Sequence, residues 1–572
     1  MEDGRRTPGS TGGSGLSVHW PIVRSLLARS RVGLITDDFR AYKGYELLAA
    51  AMHAASALDR VGASAHVGIM LPTSGLFPIA ALGAWMTGRV VVPLNYLLSA
   101  EELAYVIDDA DTDTVVTATK LLEHTGHAPD AANLIKLDEI DFARAPRPRI
   151  PKTAPDAALA ALVYTSGTSG RPKGVMLSHG ALLANARQGG EHMGVRKSDR
   201  FLGVLPQFHC YGLTQLTITP LYYGVPVTYA ARFSPTRILE LVERDAATVM
   251  VAIPAMLNAL ASLKSAGPDR VRTLRLIVSG SEKLPRGVAE KFERVFGLPI
   301  REGYGMTEMG PATHCCVEGR EKPGTVGPPL PGVRQCVARP GTDERLPAGE
   351  AGEVRLNGPN RMTGYYKLPD LTAEALDPDG FYKTGDQGII DGDGYLTITG
   401  RLKEMLIIGG ENVFPREIEE VLDAHEAVHA SAVVGRPDDV RGEVPVAFVE
   451  IEEGHGFDET ALRAYCREHL AGYKVPRDIA TIDELPRSAT GKILRRELGR
   501  HGERSADDGS GDLDWPSTQA SERAGETATE TQAPEAPQAP EAPEAPEAPE
   551  PTAMMLFVDT ANLDEIREAA EM

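Results

Sequence analysis

Cysteine, tryptophan and unbroken apolar runs are all scarce in this chain of 572 residues. The five cysteines, Cys210, Cys315, Cys316, Cys336 and Cys466, are too few and too irregular for a disulfide framework. No paired C-x-x-C spacing suggests zinc. A reducing compartment, the cytoplasm, is the expected location. No stretch qualifies as a membrane span: the most apolar, Gly68 to Asn95, is broken by Pro72, Gly75, Gly83 and Gly88 and contains Arg89. Strand–helix–strand fits it better. The opening MEDGRRTPGSTGGSG lacks the apolar run of a secretory signal, so residues 1–16 are expected to form a flexible tail. A basic stripe is missing too. The formal charge is −21, but residues 501–572 hold 18 acidic and 3 basic side chains, leaving the first 500 at −6. Binding a phosphate backbone needs clustered Lys and Arg, so nucleic acid is excluded as the main ligand, while a basic pocket for one anion is not.

What is present is an ordinary globular composition, 42% hydrophobic and 24% charged. At roughly 100–200 residues per domain the length suggests three or so folding units. Up to Gly400 short β-branched runs alternate with longer amphipathic ones, as in AHVGIMLP, LFPIAALGAWMTG and VVVPLN, which predicts an α/β domain over 17–400. Over 401–501 the pattern LIIGG, PREIEEVLDAH, HASAVVGR, VPVAFVEI and ETALRAYCREHL predicts a smaller α+β domain. Residues 502–553, ending in APEAPQAPEAPEAPEAPEP, have no side chains with which to build a core and predict an extended acidic linker. Residues 554–572 add one strand-like run and one helix-like run, which cannot fold alone.

The strongest local feature is YTSGTSGRPKGV, which follows the buried-strand run LAALVY. Thr165, Ser166, Gly167, Thr168, Ser169 and Gly170 offer hydroxyls and flexible backbone N–H groups that can wrap phosphate oxygens, and Lys173 adds charge. The loop is not of the Walker type, because no G-x-x-x-x-G-K-[ST] spacing occurs.

With this loop the chain resembles the adenylate-forming superfamily of acyl-CoA synthetases, luciferases and nonribosomal adenylation domains, and further motifs follow in that family's order over residues 20 to 500. GYGMTE matches a motif that implies Gly303, Tyr304 and Gly305 beside the adenine, Thr307 at the α-phosphate and Glu308 as a Mg²⁺ holder. YKTGD supplies Asp386 and GRLKE supplies Arg401, both implied ribose contacts. A carboxylate suits a diol, since it only accepts hydrogen bonds. PRSATGKILRREL places Lys492 at the family's catalytic lysine. Lys403 matches the hinge about which the family's small domain rotates between two half-reactions. Gly409 and Gly410 match a form found in CoA ligases, where missing side chains let the pantetheine arm pass; a glycine-rich β-turn is the other reading of the same pair.

For the acyl pocket the resemblance implies His209 near the substrate carboxylate, with Gly280 and Met306 lining the chain. A core histidine is the ordinary alternative. SGSEKLP sits at the pocket floor and adenine wall, implying ATP contacts from Ser281 and Glu282, although Glu282 and Lys283 depart from the family's small residues and proline. Met250, Val251, Ile253, Met256 and Met306 suggest an apolar acid, or else form ordinary core. The implied activity is ATP- and Mg²⁺-dependent conversion of a carboxylic acid, fatty or otherwise apolar, to acyl-AMP, then transfer to CoA. The alternative acceptors are a separate acyl carrier protein or an amine. MMLFVDTANLDEIREA resembles the start of the transaldolase barrel, with Asp559 at that family's catalytic aspartate. Nothing else of a barrel follows, so the expectation is no aldolase activity and either a truncated fusion or a joined reading frame. Oligomeric state is not legible.

Overall fold

The structure, a computed structural model, describes residues 17–165, 171–438, 440–452, 454–487, 493–495 and 497–498. Among them four sheets are formed. In the seven-stranded sheet, His66–Ile69 is flanked in parallel by Val90–Pro93 and Thr112–Thr117, with Asn133–Lys136 at one edge. On the other side Leu159–Thr165 joins Val90–Pro93 in parallel and turns back antiparallel into Lys173–Ser178, which pairs with Gly364–Tyr365. The predicted strand–helix–strand of Gly68–Asn95 is present. Its helix, Leu76–Met86, is buried along almost its whole length, which accounts for its lack of a polar face. It packs on the alanine-rich helix Gly44–Val61 so closely that a Cβ at Gly83 would lie 2.8 Å from the Ala54 Cβ.

The eight-stranded sheet runs in parallel through Arg301–Gly305, Leu276–Ser279, Val249–Ala252, Phe201–Gly203 and Val227–Tyr229 to Gly33–Thr36. Antiparallel strands Ala312–Cys315 and Ala41–Lys43 close its ends. One hydrophobic core runs through both large sheets. Ligands of open parallel sheets bind beyond the carboxyl ends of the strands. Here those ends deliver Pro206–His209, Ile253, Gly280–Ser281 and Met306–Thr307 to one side.

One finding differs from the sequence expectation and a second adds to it. Residues 334–401 leave the α/β alternation and form an antiparallel four-stranded sheet, Arg334–Ala338, Ala351–Asn357, Tyr382–Ile390 and Leu396–Arg401. Turns such as Asp391–Gly394 are too short for a helical crossover, which forces antiparallel return. Second, the carboxy-terminal sheet carries apolar residues on both faces. Ala447 and Val449 face a cluster with the helices Pro415–Leu422 and Glu459–His469, while Val446 and Phe448 face Ile482, Leu485 and Leu498. The period of two in the strand thus fixes Ile482, Leu485 and Leu498 to the side opposite the helices. The five cysteines are free thiols. No helix among the described residues is long and apolar enough to cross a membrane.

Candidate active site

Thr165 and Lys173 face each other in register across the hairpin Leu159–Thr165/Lys173–Ser178. Its flanks are tied down: the Tyr164 hydroxyl donates to Asp109 at 2.6 Å, and the Tyr105 hydroxyl donates to the Pro172 carbonyl at 3.3 Å. Ser166, Gly167, Thr168, Ser169 and Gly170 lie outside the described residues. The partner of the Lys173 ammonium among the described residues is the Tyr365 ring, 4.6 Å from nitrogen to centroid.

That ring leads to the second motif. Tyr365 donates its hydroxyl to Glu308 Oε1 at 2.9 Å and lies 3.3 Å from the Tyr382 hydroxyl. Burial and the Glu308 charge push the phenols of Tyr365 and Tyr382 up, so both stay protonated. Thr307 and Glu308 form a short 3₁₀ turn directly after the strand Arg301–Gly305. The chain can enter this turn only because residue 305 is glycine, where a Cβ would stand 2.0 Å from the Pro311 carbonyl oxygen.

Asp386 organises the third part. It is 4% exposed and pairs in register with Arg401 across the antiparallel sheet, with Arg401 Nε 2.9 Å from Oδ1. Its other oxygen accepts the Tyr304 hydroxyl at 2.6 Å. Burial and this charge hold the Tyr304 phenol well above its ordinary range, and Asp386 raises the Arg401 guanidinium. A carboxylate has about four acceptor sites, so beyond these two contacts from described residues it can accept hydroxyls of a ligand. Tyr304, near the end of the strand Arg301–Gly305, is three residues from Thr307 in the turn that follows, while Tyr382 and Asp386 share one strand. The three motifs therefore form a single patch.

Next to it lies the acyl side. His209 caps a short helix, accepting the Tyr211 N–H at 3.3 Å, and burial pushes its imidazole down to about 4, so it is neutral. A Cβ at Gly280 would lie 2.9 Å from the Tyr211 ring, so Gly280 and Tyr211 form one wall. Ser281 has φ +73, a left-handed conformation that non-glycine residues adopt at a cost and that clusters at functional sites. Met306 is partly buried against the core. Met250, Val251 and Ile253, in contrast, are 1%, 1% and 5% exposed within the main core. Packing in the core accounts for them. A cavity of about 350 Å³ bounded by Gln387, Thr399, Leu402 and Phe414 holds none of the site residues named above.

Lys492 lies outside the described residues. The nearest described residues on either side of it, Arg487 and Ile493, pair with each other as an antiparallel bridge. Arg487 is 4.0 Å from Glu282 and 3.7 Å from Glu450. Lys283 forms an ion pair with Glu420, Lys291 approaches Glu452 at 3.6 Å, and Asn258 meets His429 at 3.1 Å. The two residues that break the family pattern, Glu282 and Lys283, thus face the carboxy-terminal domain. Lys403 is exposed in the turn Leu402–Glu404 that joins the two bodies. Gly409 and Gly410 take φ +61 and +88 at the tip of the hairpin Leu406–Ile408/Glu411–Val413, with nothing within 4 Å of either Cβ position. The turn by itself demands glycine there. Tyr365, Tyr382 and Tyr211 were not singled out from the sequence. The run GYYK has no spacing signal, and only the pairing of Gly364–Tyr365 with Lys173–Ser178 reveals the role.

Residues 29–366 match the AMP-binding enzyme family and residues 417–492 the AMP-binding enzyme C-terminal domain. The chain belongs to this adenylate-forming family and is an acid–thiol ligase. It is 33% identical over 475 residues, 76% of this chain and 85% of the relative, to a long-chain-fatty-acid–CoA ligase of Bacillus subtilis. To a sulfoacetate–CoA ligase of Cupriavidus necator it is 36% identical over 458 residues, 77% and 88% of the two chains. Its fold matches ATP-bound MatB of Rhodopseudomonas palustris with a TM-score of 0.77 at 30% identity, covering 85% of this chain and 99% of that one. The resemblance drawn from the motifs, and the two-body α/β architecture, hold.

Proposed function

We propose that this enzyme activates a fatty or other apolar carboxylic acid with ATP and passes the acyl group to CoA. The substrate carboxylate attacks the α-phosphorus, pyrophosphate leaves, and the thiol sulfur then attacks the acyl carbonyl, releasing AMP. The observation that carries this reading is the single patch joining Lys173, Tyr365, Glu308, Tyr304, Asp386 and Arg401. In it Lys173 and Thr307 take the phosphates, Asp386 and Arg401 the ribose, and Tyr304 with Gly303 and Gly305 the adenine side, with Ser281 and Glu282 at its edge. Glu308 suits Mg²⁺: a hard cation is commonly held by one carboxylate together with substrate phosphates. No cluster of three ligating side chains occurs among the described residues, which fits that mode. When bound, Mg²⁺ offsets phosphate charge.

His209, neutral at physiological pH, borders the carboxylate without adding a competing anion. Tyr211, Gly280 and Met306 offer the acyl chain apolar surface and no charge. The resemblance to a fatty-acid ligase supports the same choice. In this scheme Lys492 stabilises the charge that builds during adenylation, Lys403 is the hinge, and Gly409 and Gly410 face CoA after the small domain turns. The separate carboxy-terminal cores, built from residues between Leu406 and Leu498, support reading 17–400 and 401–501 as two domains. The five free thiols suit the cytoplasm.

The test is pyrophosphate release across short, long, aromatic, dicarboxylic and amino acids, with and without CoA. Turnover with an apolar acid that depends on CoA is expected. Preference for a dicarboxylic or sulfonated acid would overturn the substrate class. A single burst unmoved by CoA would instead assign the acyl group to a carrier protein or an amine.

A further inference from the structure

The segment Met362–Tyr366 straps together two motifs that are far apart in sequence. Met362 donates its N–H to the Glu308 carbonyl at 2.8 Å. Thr363 donates to the Met176 carbonyl at 2.9 Å and Tyr366 to the Gly174 carbonyl at 2.8 Å. One end of this strap therefore holds the turn carrying Glu308, and the other is a strand paired beside Lys173, with Tyr365 opposite Val175. Gly364 makes the strap tight: its φ is +156, and a Cβ there would lie 2.7 Å from Thr372, whose Oγ1 accepts the Tyr365 N–H at 2.9 Å. The Tyr365 side chain repeats in three dimensions what the backbone does. Its hydroxyl holds Glu308 at 2.9 Å and its ring face seats the Lys173 ammonium at 4.6 Å. The ring is 5% exposed and packed in the main core, so it has little freedom to move. Tyr382, 7% exposed, backs the hydroxyl at 3.3 Å.

We propose that Tyr365 is a positioning residue for the adenylation step, setting the Glu308 carboxylate and the Lys173 ammonium at one fixed separation before ATP and its metal arrive. This rests on the reading that Glu308 serves Mg²⁺ and Lys173 the phosphates. The physical gain is preorganisation. A carboxylate and a flexible lysine in water would otherwise have to be ordered during binding, at a cost in side-chain entropy. A lysine seated on a ring keeps its charge available, whereas one paired with a carboxylate would have to break that pair to meet a phosphate. The hydroxyl engages one oxygen of Glu308, which steers the carboxylate and leaves the second oxygen outside that bond.

The experiment separates the two contacts. Tyr365→Phe keeps the ring and removes only the hydroxyl; Tyr365→Leu removes both contacts. ATP affinity is measured by calorimetry with Mg²⁺ and again in EDTA, alongside thioester formation from supplied acyl-adenylate. Tyr365→Phe is expected to weaken binding of Mg²⁺–ATP about tenfold, in line with a hydrogen bond to a charged group. Metal-free ATP binding and the thioester step should stay at the parental level. Tyr365→Leu should also weaken metal-free ATP, by a few-fold, through loss of the lysine seat. Parental Mg²⁺–ATP affinity in Tyr365→Phe would overturn the proposal. So would equal losses with and without metal, or a matching fall in thioester formation, each of which marks a purely structural tyrosine. Glu308→Gln distinguishes the two levels of the argument. If it leaves the metal dependence unchanged, the assignment of Glu308 fails. If it abolishes that dependence while Tyr365→Phe binds normally, only the role of Tyr365 fails.

Discussion

The ligand-facing patch and the seam between the two bodies are both built from charge, but they are held in different ways. Asp386 and Arg401 are fixed by strand register, and Tyr304 and Tyr365 reach their carboxylates from buried or partly buried positions. The seam is a row of partly exposed pairs, Lys283 with Glu420, Arg487 with Glu282 and Lys291 with Glu452. Each such pair contributes about 0–1 kcal/mol, because water can replace either partner. A site that must hold a charged nucleotide gains from the first design. A surface over which one body is proposed to turn gains from the second, since many weak contacts can be exchanged without a large barrier. Glu282 and Lys283 stand on the boundary: sequence position puts them in a pocket motif, while their side chains serve the seam.

The largest expected effect breaks the comparison at the residue that crosses it. Lys492 belongs to the small domain by sequence and to the patch by proposed role. Lys492→Ala should lower adenylation by about 10²–10³-fold, the scale of removing one preorganised charge donor. Thioester formation from supplied acyl-adenylate should largely survive. Separate assays of pyrophosphate exchange and thioester formation check this, and a common fall in both would remove the lysine from its assigned half-reaction.

The next effect is smaller and belongs to the seam itself. Lys283→Glu sets two like charges facing each other at Glu420 and should slow adenylation about fivefold, equivalent to roughly 1 kcal/mol. Combining Lys283→Glu with Glu420→Lys should restore most of the rate, and added salt should shrink the defect of the single variant. Failure of the double variant to recover would mean that the pair does not couple the two bodies.

What the sequence could disclose follows the same division. The patch was largely legible, because phosphate, ribose and metal chemistry require particular residue types at fixed offsets within short motifs such as GYGMTE and YKTGD. The alternation of β-branched and amphipathic runs likewise disclosed the parallel sheets. The seam was not legible. Lys283 and Glu420 are 137 residues apart, and nothing local in either stretch names the partner. Tyr365 escaped for the same reason, since its importance lies in a strand pairing. Met250 and Val251 show the converse: apolar residues beside a pocket motif are equally at home in the core, so the sequence leaves both readings open and burial places these two in the core.

The smallest expected effect concerns stability, and it tests whether the seam is wet throughout. Just behind it, burial pushes the Asp423 carboxyl up from 3.8 to about 7, even though the Ser431 hydroxyl donates to it at 2.7 Å and Lys283 opposes the shift. Glu419 nearby adds to the rise. Between about pH 4 and pH 7 the unfolded chain ionises this group while the folded protein keeps it protonated. The contribution of Asp423 to stability should therefore fall as pH rises through that window, by on the order of a few kcal/mol at most, and level off above it. Lys283, pushed down to about 8 by burial and Arg416, acts in a different range: stability returns as pH rises from about 8 toward 10.5. In the lower window the buried histidines His209 and His314, pushed down to about 4, contribute the opposite slope, so the part played by Asp423 is read as a difference from a variant. Asp423→Asn keeps an acceptor for Ser431 and has no proton to lose, so its unfolding midpoint should rise relative to that of the parent as pH goes from 5 to 7. An unchanged slope would mean that water already reaches the carboxylate, making the region behind the seam as exchangeable as the seam itself.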